Sequence, residues 1–327
     1  MRTRSIISVS FVALVYGAQF GSIGRTQASH ATLHHTQFVT VDRDVRLEVL
    51  DWGGHGQTLV FLAGLGNTAH VFDEFAPRFV DRFRVVGMTR RGFGASSRPS
   101  VGYGAQRLSE DVVGAIDALH LERPVLVGHS IAGEELSYIA ARAGNRIAGL
   151  VYLDAAYDRT GAEITALWKE WPHATPEPTA AERASRLAYQ EFSRRTRGYR
   201  LPGFDLEQYE TFGDPPGDVS RAIMAGVLAP DYKKIEPPAL ALYALPRSAK
   251  ELFPAYALLD LDVQRRVDTF WPRWEAQVKR EQNRFEREVR RGTAVALNGA
   301  THYIFLSDAE QTATQMRHFL DGVRTQR

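Results

Sequence analysis

The feature that most constrains this chain is a series of short apolar runs, each followed by a segment of helical periodicity. TLVFLAG (58–64), FRVVGM (83–88), PVLVG (124–128), AGLVYLD (148–154), ALALYAL (239–245) and TAVALNGA (293–300) carry few polar residues at either parity of position. A strand that is apolar on both faces has to be covered on both faces, as strands of a parallel sheet are. The segments between them read as helices over 68–80, 106–120 and 131–143, with a long charged helix ending at 279–291 and a closing helix over 308–321. In the second of these, Leu108, Val112, Ile116 and Leu119 share one stripe. Strands alternating with helices predict an α/β fold, a mostly parallel central sheet flanked by helices. Ahead of it, QFVTVD (37–42) and VRLEVLDW (45–52) alternate apolar and polar residues around Arg43-Asp44. They predict an antiparallel hairpin with one solvated face.

The rhythm stops after Asp154. Residues 159–237 hold a Pro-rich piece (WPHATPEPT), a predicted helix over 178–195 and the turn-rich GDPPGD at 213–218. A block this long, with helical pieces of its own, is not an ordinary loop. It reads as a helical lid inserted into a sheet domain made of 37–158 and 238–325. The basic and acidic residues of 279–291 read as a solvated helix face with i,i+4 pairs.

The first 28 residues have the pattern of a signal peptide. Arg2 and Arg4 give a positive start, an apolar run spans Ile6 to Ala18 with Ser8 and Ser10 inside it, and Thr26-Gln27-Ala28 offers a cleavage site. The run is short of the ~20 apolar residues a membrane span needs. The expectation is an exported protein, periplasmic or secreted, with no stable membrane span once the leader is removed; an uncleaved N-terminal anchor is the alternative. SHATLHHT (29–36) holds three histidines, read as a disordered new N-terminus rather than a metal site.

Composition removes several functions. Forty Lys and Arg against 38 Asp and Glu leave a net charge of +2, without the excess positive charge a nucleic-acid binder concentrates. The 327 residues include no Cys, which excludes disulfides, thiolate metal sites and a Cys nucleophile. No metal cluster and no cofactor are expected.

The chemistry centres on VLVGHSIAG, residues 125–133. Ser130 ends an apolar strand and opens a helix, the place where an open α/β sheet binds ligands. Gly128 and Ala132 stand two residues before and after it, small enough for strand and helix to close on a sharp turn. The helix start and the backbone N–H of Ile131 then face any developing oxyanion. A hydroxyl needs a base. His302 follows the last strand in a Gly-containing loop and fits; His129 sits on the tight turn itself, His318 lies in a helix and His173 in the lid. The second oxyanion donor is expected in FLAGLGNT, from the N–H of Leu65. Trp168, Trp171, Phe270, Trp271 and Trp274 are candidates for an apolar acyl pocket, against the plainer expectation of core packing. Glu134 and Glu135 suit a helix start and receive no catalytic role.

With these motifs in this order, residues 37–325 resemble the α/β-hydrolase superfamily with a lid. The order Ser130, acid, His302 is the order that resemblance implies. TRRGFGASSRP (89–99) resembles the family segment Asp-x-Arg-Gly-x-Gly-x-Ser, with Thr89 in place of the Asp. The chain departs from the family at the end of the seventh strand, the usual place of the triad acid. In ALYALPRSAKE, Ala244 takes the Gly-like place and Arg247 the Asp-like place. A cation there cannot stabilise an imidazolium. Some relatives carry the acid after the sixth strand, which points to Asp154, with Asp158 and Glu251 as the alternatives. The resemblance implies a serine hydrolase acting on a small-molecule ester or related acyl compound. Two rivals stand beside it. One is a non-catalytic ligand-binding member of the same fold. The other is an NADP-dependent oxidoreductase, in which AGLGNTA (63–69) would be a dinucleotide loop and Arg90 or Arg91 the phosphate contact.

Overall fold

The structure is a computed structural model that describes residues 34–172, 176–200 and 217–324. Eight strands form one sheet: β1 (His35–Asp42), β2 (Val45–Gly53), β3 (Thr58–Leu62), β4 (Arg84–Met88), β5 (Val125–His129), β6 (Gly149–Leu153), β7 (Ala239–Leu245) and β8 (Gly292–Asn298). Their spatial order is β1-β2-β4-β3-β5-β6-β7-β8. β2 runs antiparallel to β1 and β4, and all other neighbours are parallel. The expected hairpin is therefore the sheet's antiparallel edge, and the six apolar runs are its parallel body.

The α-helices among the described residues are α1 (Ala105–Ala118), α2 (Gly133–Ala143), α3 (Ala162–Lys169), α4 (Ala180–Arg183), α5 (Arg186–Arg197), α6 (Asp218–Ala225), α7 (Ala249–Leu252), α8 (Leu261–Glu288), α9 (Ile304–Ser307) and α10 (Ala309–Arg324). Period-2 alternation along the strands divides the core in two. Val60, Leu62, Val86, Met88, Leu126, Leu150 and Tyr152 pack with Val112 and Ile116 of α1, Leu136 and Ile139 of α2, and Val278 and Phe285 of α8. Leu59, Phe61, Val85, Val127, Val151 and Leu153 pack with Phe72, Phe75, Phe79, Phe305 of α9 and Met316 of α10. No helix among the described residues is long and apolar enough to cross a membrane.

Two expectations about helices change. Residues 68–80 form two 3-10 turns, Ala69–Phe72 and Ala76–Phe79, rather than one helix. Pro77 lacks the N–H that an α-helix through it would bond to Asp73, and it disfavours helical backbone at Ala76. The segment is held by its aromatics instead. Phe72, Phe75 and Phe79 are buried, and burial contributes about 1.5–3 kcal/mol each, more than the helical hydrogen bonds forgone at ~1 kcal/mol apiece. The helix expected over 178–195 is two, α4 and α5. Thr179 and Glu182 form a capping box on the first, and Ser185 restarts the second by accepting the Ala188 N–H. His173, most of GDPPGD and the signal-peptide segment lie outside the described residues.

Candidate active site

Ser130 leaves β5 with φ 55°, in the left-handed region that residues bearing a side chain seldom adopt. Such a conformation persists where its surroundings over-determine it. Here the strand and α2 close tightly: a Cβ on Gly128 would stand 3.1 Å from the Ala132 Cβ and 2.8 Å from a Leu136 methyl. Gly133, given no task from sequence, has one. A Cβ on it would lie 2.0 Å from the Ala155 carbonyl oxygen, so the loop after β6 can pass the start of α2 only over a glycine.

That loop carries Asp154, also left-handed at φ 47°. Its carboxylate is buried and fully occupied. Oδ2 lies 2.6 Å from His302 Nδ1. Oδ1 accepts the Tyr157 hydroxyl at 2.6 Å and the Ala244 N–H at 3.0 Å. The end of β7, where the family acid is usually found, thus supplies a backbone donor to an acid held one strand away. The two alternative acids are engaged elsewhere. Glu251 binds the Arg247 guanidinium at 2.7 Å. Asp158 binds Arg284 at 2.6 Å and the Thr160 hydroxyl at 2.6 Å; these contacts outweigh burial and hold its carboxyl below the usual range.

His302 has 47% of its side chain exposed. With Nδ1 on Asp154, Nε2 is the nitrogen left to exchange a proton with a substrate or with Ser130. Among the described residues no hydrogen bond joins Ser130 Oγ to His302. Both side chains line the same cavity, of about 320 Å³, and such contacts often close only when substrate is bound. His129 does not compete as the base. It is buried, and its Nε2–H donates to the His302 carbonyl at 3.1 Å. Burial, then His302 itself, keep it neutral by pushing its pKa well below 6.5. Its ring centroid lies 4.6 Å from that of His302, so it supports the histidine loop from beneath. His318 is exposed on α10.

Leu65 and Ile131 line the cavity beside Ser130. Two side chains brace the Leu65 loop: Tyr303, which the sequence did not single out, and Arg90, which it offered only as a phosphate contact. Tyr303, next to His302, donates its hydroxyl to Asn67 Oδ1 at 2.8 Å. Arg90 joins Glu135 at 2.7 Å and donates to the Ala63 carbonyl at 3.1 Å. The RR pair at 90–91 was the only local signal for the second brace. Arg91 is likewise buried against Asp111, at 2.6 Å. Neither arginine is free for a nucleotide phosphate. Glu134, also buried, contacts Arg159 at 3.3 Å, and burial raises its pKa.

The aromatic candidates divide. Trp168, Trp171 and Trp274 line the cavity with Ile164 and Met224. Trp271 does not. It packs with Phe270 against Leu167, Phe253 and Val267. Phe270 does not line it either: it stacks on Trp274, its i,i+4 neighbour on α8, at 6.1 Å, and Trp271 is rotated by about 60° from Trp274 around the helix.

An eight-stranded, mostly parallel sheet with a left-handed serine after β5 defines an α/β-hydrolase architecture. A model of the Alpha/beta hydrolase family matches residues 59–315, and the chain belongs to that family. Its curated relatives include the 2-(acetamidomethylene)succinate hydrolase of Mesorhizobium japonicum, 31% identical over 31% of this chain and 36% of the relative. A bifunctional esterase/perhydrolase of Acinetobacter calcoaceticus is 31% identical over 33% of this chain and 40% of the relative. The chain thus matches well under half the length of these relatives. Among solved structures, a membrane phospholipase A superposes with a TM-score of 0.61 at 21% identity, over 89% of this chain and 87% of that one. At that identity the likeness is one of fold.

Proposed function

We propose that the protein is a serine hydrolase that cleaves a small-molecule ester or related acyl bond through Ser130, His302 and Asp154. The observation that carries this reading is the 2.6 Å pair between His302 Nδ1 and buried Asp154, opening on the cavity that Ser130 also lines. The esterase relative lends the ester class support.

In this reading His302 Nε2 takes the Ser130 proton as Oγ attacks the acyl carbon. The resulting imidazolium keeps its Nδ1–H on Asp154, which orients the ring. The N–H groups of Leu65 and Ile131 receive the oxyanion, each such donor contributing ~10²–10³ in turnover. As the tetrahedral intermediate collapses, the carbon–oxygen bond to the leaving group breaks and His302 gives that group the proton. Water, deprotonated by His302, then attacks the acyl-Ser130 ester; as the acyl–Oγ bond breaks, His302 returns the proton to Ser130 Oγ and the acid leaves. The segment between β6 and β7 acts as a lid, with Trp168 and Trp171 over the acyl group and Trp274 beside it. The leader-like first 28 residues support export to the periplasm or beyond.

Labelling with a fluorophosphonate, followed by peptide mass mapping, tests the proposal. The expected adduct is on Ser130, with p-nitrophenyl ester hydrolysis lost in Ser130→Ala. An unlabelled Ser130, or full ester turnover in Ser130→Ala, refutes it and favours a ligand-binding member of the family.

A further inference from the structure

We propose that His34, His70 and Asp73 form a binding site for a zinc-class divalent cation, outside the Ser130 cavity. His34 precedes β1, and His70 and Asp73 belong to the 3-10 turn that follows the Leu65 loop. One nitrogen or oxygen from each of the three lies within 4.8 Å of the others. His70 Nδ1 stands 3.1 Å from Asp73 Oδ2, and His34 Nε2 stands 3.6 Å from Asp73 Oδ1. Ligands about 2.0–2.1 Å from a tetrahedral zinc are about 3.3 Å from one another. Each imidazole nitrogen already stands near that distance from one oxygen of the Asp73 carboxylate, His70 from Oδ2 and His34 from Oδ1. With one atom from each residue within 4.8 Å of the others, closing on one cation needs side-chain adjustments on the order of an ångström.

The surroundings orient each ligand as a metal requires. The Thr36 hydroxyl lies 3.3 Å from His34 Nδ1 and leaves Nε2 for the cation. Glu48 Oε1 lies 3.7 Å from His70 Nε2, leaving Nδ1. Glu48 is itself fixed by the Thr89 hydroxyl at 2.7 Å, and the Trp52 indole N–H donates to Asp73 Oδ1 at 3.1 Å. A carboxylate behind a ligating imidazole sets its tautomer and raises its basicity. Two imidazoles and a carboxylate, with no thiolate, suit zinc and its neighbours better than calcium or magnesium. Three protein ligands leave a fourth position to water, so the cation should exchange with chelators. Once bound, it ties the start of β1 to the turn after Leu65. SHATLHHT alone could not reveal this, because the other two ligands come from a separate turn, brought near by the packing of Phe72 and Trp52.

The test uses the full chain without an affinity tag. Zinc chloride is supplied by equilibrium dialysis, and bound metal is read by atomic emission. The expected result is one equivalent per chain, a thermal midpoint that rises with zinc and falls back with EDTA, and visible tetrahedral bands on cobalt substitution. His34→Ala and Asp73→Asn should each weaken zinc binding at least tenfold, and Glu48→Gln about tenfold. His34 lies outside the core, so its variant folds even if Asp73→Asn does not. Uptake below about 0.1 equivalent, or uptake that His34→Ala leaves unchanged, overturns the site and assigns the cluster to a proton shared among His70, Glu48 and Asp73.

Discussion

Two of the histidine–aspartate pairs among the described residues, His302–Asp154 and His70–Asp73, differ in what surrounds the second imidazole nitrogen. His302 meets Asp154 at 2.6 Å, and its other nitrogen faces a cavity with a serine on its wall. His70 meets Asp73 at 3.1 Å, and its other nitrogen meets a second carboxylate, Glu48. Burial opposes a charge on His70, but hydrogen bonds to Asp73 and Glu48 outweigh it and raise its pKa to about 9. An imidazole with one nitrogen free can pass a proton to and fro. An imidazole between two carboxylates holds its proton, or gives it up to a cation. The same two residue types therefore yield a candidate base in one place and a candidate ligand in the other.

The sharpest way to break this contrast is to neutralise each aspartate. Asp154→Asn should lower kcat for ester hydrolysis by about 10⁴-fold, through loss of the His302 tautomer, with little change in thermal midpoint. Retention of most activity would remove Asp154 from the mechanism. Asp73→Asn should instead register in zinc affinity and stability. A smaller but still large effect is expected at Gly133, on which the Asp154 loop rests. Gly133→Ala forces a methyl against the Ala155 carbonyl and should cost about 1–3 kcal/mol in denaturant unfolding. An unchanged midpoint would show that the loop has room to move. Next comes Tyr157→Phe, which removes one of the donors to Asp154 Oδ1. A charge-assisted bond is worth about 1.5 kcal/mol at the least, so kcat should fall roughly tenfold while binding is spared.

The smallest expected effect concerns His70 in chelator-treated protein. Its folded pKa of about 9 lies above the ordinary 6.5, so the folded state holds the proton more tightly. The resulting stability is fully present below 6.5 and is lost as pH rises through about 9. Urea midpoints measured across this interval should decline in the parent chain and decline less in His70→Gln. Equal slopes would show that the ring is not held as a cation.

How much of this was legible in the sequence depends on the range of the interaction. Five of the six parallel strands, β3 to β7, were visible because burial on both faces writes itself into nearly every residue, while β8 at the edge is buried only at Ala294 and Leu297. The turn at Ser130 was visible because Gly128 and Ala132 act on it from two residues away. The helix expected over 68–80 failed at Pro77, where aromatic packing outweighed helical pairing. Trp271 was misplaced because a cluster of tryptophans says nothing about which stripe of α8 meets the cavity. The roles of Gly133, His129 and Arg90 were hidden because their partners Ala155, His302 and Glu135 are distant in the chain, and that of Tyr157 because its bond to nearby Asp154 depends on the turn after β6.

The amino-acid sequence by itself determined the α/β architecture, the antiparallel edge and the serine at the bend, all of which follow from periodicity and neighbours a few residues apart. Only the tertiary structure decided which carboxylate reaches His302. That choice rests on β6 lying beside β7 with Leu153 opposite Leu242, which brings the Ala244 N–H to Asp154. It rests also on arginines at 247 and 284 occupying the other two acids. Strand order and register arise from the packing of the whole chain, and no local stretch encodes them.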